Sequence, residues 1–295
     1  MISRRRALAL TAASLATPVA AAESDRWQAM LDYVQGQQTT GFLVIRDRKV
    51  LVERAWPAPP NAPPGFRAMA RYGTNAEGAL LEDVASQQKS FVSVLAQIAV
   101  DRGLLDVSRP VSGYIGAGWS KAAADQEAKI HVLDVLTMSS GLNETFGYAA
   151  PPATVFLYNT PVYAVMKRVV PAAAKQSLEA ITRDWLTVPL GMKDTAWRER
   201  PAALADVGNP TGLVTSPRDV GRFGQMVLDG GRARGHVHPL ADQSGVWAPL
   251  VAERQRLRDP PPGSAGGRPL DTRGARRPGG GAGRARPQAL CGPQP

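Results

Sequence analysis

The C-terminal segment restricts the fold of this 295-residue chain more than any other feature. Residues 251–295 contain no aromatic residue and no Ile, Met, Lys or Asn, and they are rich in Arg, Pro and Gly. Such a segment cannot bury enough apolar surface to offset the entropy that is lost on ordering. The folded core must therefore come from the preceding residues, and we predict that the atypical tail, 233–295, is disordered.

The formal net charge of +10 is concentrated at the two ends of the chain. The first ten residues carry +3, residues 236–295 carry +5, and the long body 23–235 carries only +2. A basic tail is typical of some nucleic-acid-binding proteins, so one alternative is that the chain binds nucleic acid through its tail. The tail lacks the aromatic residues that would stack on bases, so we expect no nucleic-acid partner.

The N-terminus has the pattern of an export signal. A basic cluster, Arg4–Arg6, precedes the short apolar run Ala7–Ala16 and the small residues Ala20–Ala22. This pattern predicts a signal peptide over 1–22, compatible with the twin-arginine type, with cleavage after Ala22. The alternative is a basic amphipathic helix that stays on the protein. Export implies a periplasmic or secreted protein without stable membrane insertion, since the apolar run is too short to span a bilayer.

The body alternates between strand and helix patterns. Two apolar runs, 41–45 and 49–54, are joined by a short polar segment and predict a β-hairpin. Helical spacing of apolar residues predicts helices over 27–37, 86–102, 130–138, 160–170 and 215–230. Ser216 and Pro217 have the residue types of an N-cap and a first helical position. The sequence therefore predicts a mixed α and β fold.

Ser86 and Lys89 stand three residues apart at the start of a predicted helix, so their side chains share one face. A serine hydroxyl needs a base to become a nucleophile, and a neutral lysine can be that base. The alternative is an exposed helix start with a solvated serine and lysine. The chain has one Cys and three His, which leaves little for a metal centre, so we expect none. Nucleophilic chemistry on a serine implies no cofactor either.

Five segments lie in an order that resembles the serine β-lactamase and penicillin-binding-protein superfamily. The resemblance is strongest to its class C-like branch, which also holds esterases, D-amino-acid peptidases and small amidases. It covers roughly residues 40–232, and the segments are Ser86–Tyr114, Val135–Leu142, Pro152–Tyr163, Pro189–Thr195 and Gly212–Phe223.

The resemblance implies a role for four residues. Ser86 is similar to the family's nucleophile, Lys89 to its lysine partner, and Tyr158 to the tyrosine of a Y-x-N motif. Thr160 occupies the Asn position of that motif and is the candidate substrate-binding residue, with Asn159 one place early. Because threonine lacks the paired donor and acceptor of an amide, a small ester or amide is preferred over a β-lactam as the substrate.

The same resemblance implies a fold and a mechanism. The fold is an antiparallel sheet flanked by helices, plus a helical subdomain, within a domain over 23–232. The mechanism is acyl transfer, in which Ser86 forms an acyl-enzyme that water releases.

The family's third motif, a Lys- or His-containing triplet that ends in Gly, has no convincing copy. The two nearest matches are Gly235–His238 and Asp271–Gly274. We interpret the tail as a departure from the ancestral reading frame after about Gly231, which leaves the C-terminal strands incomplete. Translation of the other two downstream frames tests this hypothesis. The remaining alternative is a truncated or frame-shifted family member without activity.

Overall fold

Helices and short antiparallel strands make up the body of the chain, so the mixed α and β prediction is confirmed. The computed structural model describes residues 18–201 and 208–231. Most of the predicted leader and the whole tail 233–295, with both candidate copies of the third motif, lie outside the described residues. Within the described ranges, no helix has both the length and the apolar character needed to cross a bilayer.

The helices are mostly short, and two helical turns differ from the α-helical geometry. A 3₁₀ turn, Ala85–Gln87, leads into α3, and a π-helical turn, Arg183–Thr187, joins α9 to α10. The helices are α1 (Pro18–Gly36), α2 (Pro64–Met69), α3 (Gln88–Asp101), α4 (Ser112–Ile115), α5 (Ala124–Glu127), α6 (Val132–Leu136), α7 (Thr160–Ala164), α8 (Met166–Ala174), α9 (Leu178–Thr182), α10 (Val188–Leu190) and α11 (Pro217–Leu228).

The described strands form two antiparallel sheets. The predicted hairpin is confirmed as β1 (Gly41–Arg46) paired with β2 (Lys49–Ala55). Asp47 and Arg48 at its turn have φ of 51° and 62°, the left-handed conformation that matches the twist of a two-residue hairpin. The second sheet has the order β3-β5-β4, built from β3 (Glu82–Asp83), β4 (Ala196–Glu199) and β5 (Thr211–Thr215).

Two helix predictions are confirmed at their ends by local capping. The helix after residue 85 stops at Asp101, and Gly103 beyond it has a φ of 68° that suits glycine. Helix α11 begins after Ser216, whose hydroxyl accepts a hydrogen bond from the Asp219 N–H at 3.3 Å, and Pro217 fills the first helical position.

Three helix predictions were wrong in their bounds. The helix expected over 130–138 spans only α6, because His131 is extended and acts as the N-cap, while Met138 adopts a φ of 58°. The helix expected over 160–170 starts where predicted but divides into α7 and α8 at Val165 and continues to Ala174. The helix expected over 27–37 begins earlier, at Pro18, and ends at Gly36, so α1 crosses the predicted cleavage position. Cleavage there stays a prediction.

Helix α3 lies at the centre of the hydrophobic core. Its buried residues include Phe91, Leu95 and Ile98. Phe91 stacks on Phe223 of α11 with a ring-centroid distance of 3.9 Å, and α8 packs against another part of α3. Because the body of α3 is fixed by these contacts, its first turn, which carries Lys89, and the 3₁₀ turn before it, which carries Ser86, are held in a defined place.

Candidate active site

The structure brings Ser86 and Lys89 together at the start of α3, as the sequence predicts. Ser86 lies in the exposed 3₁₀ turn, and Lys89 follows in the first turn of the helix. The Lys89 Nζ donates a hydrogen bond to the Ser86 Oγ at 3.1 Å. The amine is therefore close enough to exchange a proton with the hydroxyl.

Tyr158 reaches the same two atoms from a loop before α7. Its Oη donates to the Ser86 Oγ at 2.8 Å and accepts from the Lys89 Nζ at 3.0 Å. The Lys89 Nζ also lies 4.8 Å from the centroid of the tyrosine ring. The hydroxyl, the amine and the phenol thus form a closed triangle of hydrogen bonds, although Tyr158 is 72 residues from Ser86 in the chain.

The electrostatics of this triangle lower the pKa of the Tyr158 phenol. Partial burial raises the pKa of Tyr158, but hydrogen bonds with Lys89 and Ser86 and the positive charge of Lys89 outweigh this effect. The pKa of Tyr158 is therefore below its ordinary value of 10.0. A tyrosinate beside the serine can accept its proton, and the resulting phenol can return a proton to a leaving group.

The loop that carries Tyr158 is anchored on both sides of the tyrosine. The Leu157 N–H donates to the Met138 carbonyl oxygen at 2.9 Å, and the Asn159 Nδ2 donates to the Leu142 carbonyl oxygen at 3.0 Å. Asn159 is buried, and its Oδ1 also caps α7. Asn159 is therefore a positioning residue for Tyr158, which its place in the motif alone did not indicate.

The turn that receives this loop requires glycine at one position. Gly141 has a φ of 73°, and a Cβ added to it would lie 2.0 Å from the Ala150 carbonyl oxygen. No other residue fits there without moving the backbone. The segment 135–142, which was selected by resemblance, thus serves as the support on which the Tyr158 loop rests.

Thr160 lies beside the triangle, at the first residue of α7. Its side chain hydrogen bonds to Tyr158 and contributes to the lowered pKa of that phenol. It also borders a small cavity together with Gln88 and Lys89. The residue is therefore placed at the candidate site, and its contact with a substrate stays a prediction.

A buried ion pair holds the turn that precedes Ser86. Ala85 has a φ of 46°, which is unfavourable for a residue with a side chain. Its N–H donates to the Asp83 carboxylate at 2.8 Å, and Arg200 binds the same carboxylate with two hydrogen bonds of 2.7 and 2.9 Å. Gly212 makes room for this carboxylate, since a Cβ there would lie 2.0 Å from the Asp83 Oδ2.

Sequence reasoning missed Asp83 and Arg200. The two residues are 117 positions apart, so no local spacing could join them. The signal that could have drawn attention to Asp83 is its place directly before the Ser86 segment.

A groove of about 1100 Å³ lies beside Lys89, between β1, α3 and α11. Its walls include Phe42, Leu43 and Met138 and are largely apolar. In the part of the chain that the structure describes, no three His, Cys, Asp or Glu side chains gather in a way that could hold a metal ion.

The family of the chain follows from its sequence as a whole. A sequence model of the Beta-lactamase family matches residues 20–289. The chain belongs to the beta-lactamase family. Members of the beta-lactamase family are hydrolases. The match extends past residue 232, and the predicted end of the domain at residue 232 stays a prediction. A comparison with curated proteins found no match.

Solved structures of beta-lactamase-like proteins share the fold. A putative beta-lactamase from Bacteroides dorei has a TM-score of 0.56 at 18% identity, and the match covers 75% of this chain and 67% of that one. A putative 6-aminohexanoate-dimer hydrolase from Bacillus anthracis has a TM-score of 0.54 at 15% identity, over 72% of this chain and 60% of that one. A penicillin-binding protein homologue from Pyrococcus abyssi, described as octameric, has a TM-score of 0.50 at 15% identity, over 71% and 57%.

These matches confirm the resemblance to beta-lactamases and penicillin-binding proteins, and with it the fold class. The chain spans about two thirds or less of the length of the solved structures that it matches. At these identities the likeness concerns the fold and carries no information about substrate.

Proposed function

We propose that this chain is a serine hydrolase that acts on a small ester or amide through an acyl-enzyme on Ser86. One observation supports the proposal above all others. The Ser86 Oγ, the Lys89 Nζ and the Tyr158 Oη lie within 2.8 to 3.1 Å of one another. A nucleophile with two proton-accepting groups at hydrogen-bond distance is what acyl transfer needs.

The first chemical step is attack on the carbonyl carbon of the substrate. The Ser86 Oγ forms a bond to that carbon, the π electrons of the carbonyl move to its oxygen, and the serine proton passes to the Tyr158 phenolate or to a neutral Lys89. Collapse of the tetrahedral intermediate breaks the bond to the leaving alcohol or amine, which takes a proton from the same two residues. Water then attacks the acyl carbon, the bond from that carbon to the Ser86 Oγ breaks, the Oγ regains a proton through the same two residues, and the carboxylic acid is released.

The oxygen anion of the intermediate needs hydrogen-bond donors. We expect the backbone N–H of Ser86 to be one of them, because it lies at the N-terminal end of the helical segment that continues as α3. In the family resemblance the second donor comes from the strand of the third motif, whose candidate copies in this chain lie beyond residue 231.

The substrate class rests on two features. Thr160 beside Tyr158 offers one hydroxyl in place of an amide, which disfavours the contact that a β-lactam side chain would make. The apolar groove beside Lys89 offers room for a small acyl group. The N-terminal leader supports a periplasmic or secreted location for this activity.

The proposal is tested by active-site labelling of the full-length chain. A fluorophosphonate probe is expected to attach to Ser86, and mass spectrometry of the digested protein identifies the modified residue. Ser86→Ala is expected to abolish labelling, while Ser108→Ala, at an exposed serine that does not line the groove, is expected to label normally. Labelling that persists in Ser86→Ala would remove the nucleophile assignment. A wild-type chain that folds but is not labelled would identify an inactive family member.

A further inference from the structure

A second lysine lies half-buried near the start of α3. Lys167, on α8, places its Nζ among four acceptor oxygens. Its three N–H donors are shared among the Thr211 carbonyl oxygen and the Thr211 Oγ1, both at 2.7 Å, the Gln88 Oε1 at 3.3 Å, and the Asn209 Oδ1. The ammonium thereby links the start of β5 to the start of α3.

This placement is unfavourable for a lysine in itself. The neighbouring residues of α8, Met166, Val169 and Val170, are buried and apolar, and burial lowers the pKa of Lys167 to about 7. A methionine at the same position would avoid the desolvation of a charged group. The contacts that Lys167 makes therefore point to a role that an apolar side chain would not perform.

The path from Lys167 to the nucleophile runs through Gln88. This glutamine is buried, and with its Oε1 facing Lys167, its Nε2 donates to the Ala85 carbonyl oxygen at 2.8 Å. Ala85 is the residue with a φ of 46°, directly before Ser86. Loss of the lysine would leave the Gln88 amide free to rotate, and the turn would lose one of the bonds that hold its strained conformation.

We infer that Lys167 is a positioning residue for acylation, which acts through Gln88 on the turn that carries Ser86. The inference rests on the proposed function, because it assigns a role within that reaction. The hydrogen bonds of Lys167 go to Gln88, Asn209 and Thr211 and not to the catalytic triangle, although Lys167 lines a small cavity together with Lys89. A misplaced nucleophile reacts more slowly even where the reagent still binds, so the effect is expected on the chemical step.

The test measures the saturable kinetics of labelling by the fluorophosphonate probe, with the full-length protein. Lys167→Met is expected to lower the maximal labelling rate by roughly tenfold to a hundredfold and to leave the half-saturating probe concentration unchanged. Lys129→Met is the matched control, because this lysine is exposed (71%) in an ion pair with Asp125, and its labelling is expected to equal that of the wild type. A purely structural role of Lys167 would change the melting temperature without this loss of maximal rate.

A double-mutant cycle with Gln88→Met tests the path itself. If Lys167 acts through Gln88, the double variant is expected to label no more slowly than the slower single variant. Equal labelling of Lys167→Met and wild type, or strictly additive losses, would overturn the inference. Should Lys167→Met not fold, normal labelling of Gln88→Met would overturn it equally well. An unlabelled wild-type chain would instead refute the proposed function, and this inference with it.

Discussion

Replacing Arg200 by methionine leaves the Asp83 carboxylate buried without its charged partner. The two side chains are almost fully enclosed, with exposed fractions of 6% for Arg200 and 0% for Asp83, and two hydrogen bonds of 2.7 and 2.9 Å join them. Removing one member of a buried ion pair costs about 3 to 5 kcal/mol, because the other charge stays desolvated. For a domain of this size the corresponding fall in melting temperature is roughly 6 to 20 °C.

A second arginine offers a matched comparison. Arg183 binds Asp184 with the same two-bond geometry, at 2.7 and 3.0 Å, but the exposed fractions are 63% and 47%. Arg183→Met is expected to leave the free energy of unfolding close to that of the wild type, because solvent already screens this pair. The difference between the two variants isolates the effect of burial.

The assay is urea unfolding followed by circular dichroism, together with probe labelling of the folded protein. Arg200→Met is also expected to slow labelling, since Asp83 holds the Ala85 N–H before Ser86. Adding Asp83→Asn is expected to recover part of the lost stability, because asparagine keeps an acceptor for that N–H without a charge. Equal destabilisation by Arg200→Met and Arg183→Met, or no recovery with Asp83→Asn, would refute this reasoning.

Three further perturbations test other parts of the site. The labelling rate is expected to rise with pH as the Tyr158 phenol ionises, with a midpoint at its lowered pKa. Lys89→Met is expected to move this midpoint to higher pH, and an unmoved midpoint would show that Lys89 does not lower the pKa of Tyr158. Gly141→Ala is expected to cost about 1 to 3 kcal/mol in urea unfolding and to slow labelling, because its Cβ meets the Ala150 carbonyl oxygen. The pKa of Lys167 is about 7 in the folded chain and 10.5 ordinarily, so between these pH values the unfolded chain binds a proton at Lys167 that the folded chain lacks. The free energy of unfolding, measured with urea, is therefore expected to rise from pH 7 to 10. Lys167→Met is expected to remove this rise.

The parts of the fold that sequence could predict are those governed by local pattern. Two apolar runs joined by a short polar turn identified the β1–β2 hairpin, and helical spacing located α3 and α11. The bounds of α6 were wrong because His131 and Met138 adopt backbone conformations that apolar spacing does not encode. The short strand β3 has only two residues and owes its existence to pairing with β5, which lies far along the chain.

The candidate site divides in the same way. The spacing of Ser86 and Lys89 is local, so the chemistry of the pair could be inferred from the residues themselves. Tyr158 needed a resemblance, because nothing local joins it to a serine 72 residues earlier. The supporting contacts of Arg200 and Lys167 are set by tertiary packing alone, and only the structure identifies them.

The triangle of Ser86, Lys89 and Tyr158 has a practical consequence for work on this chain. Its atoms come from two segments that meet only when the Tyr158 loop docks on the turn at Gly141. A partially folded ensemble could keep α3, and with it the serine and the lysine, yet lack the phenol. Covalent labelling therefore also reports native tertiary structure. Its yield in a preparation estimates the fraction of molecules that have reached the native state.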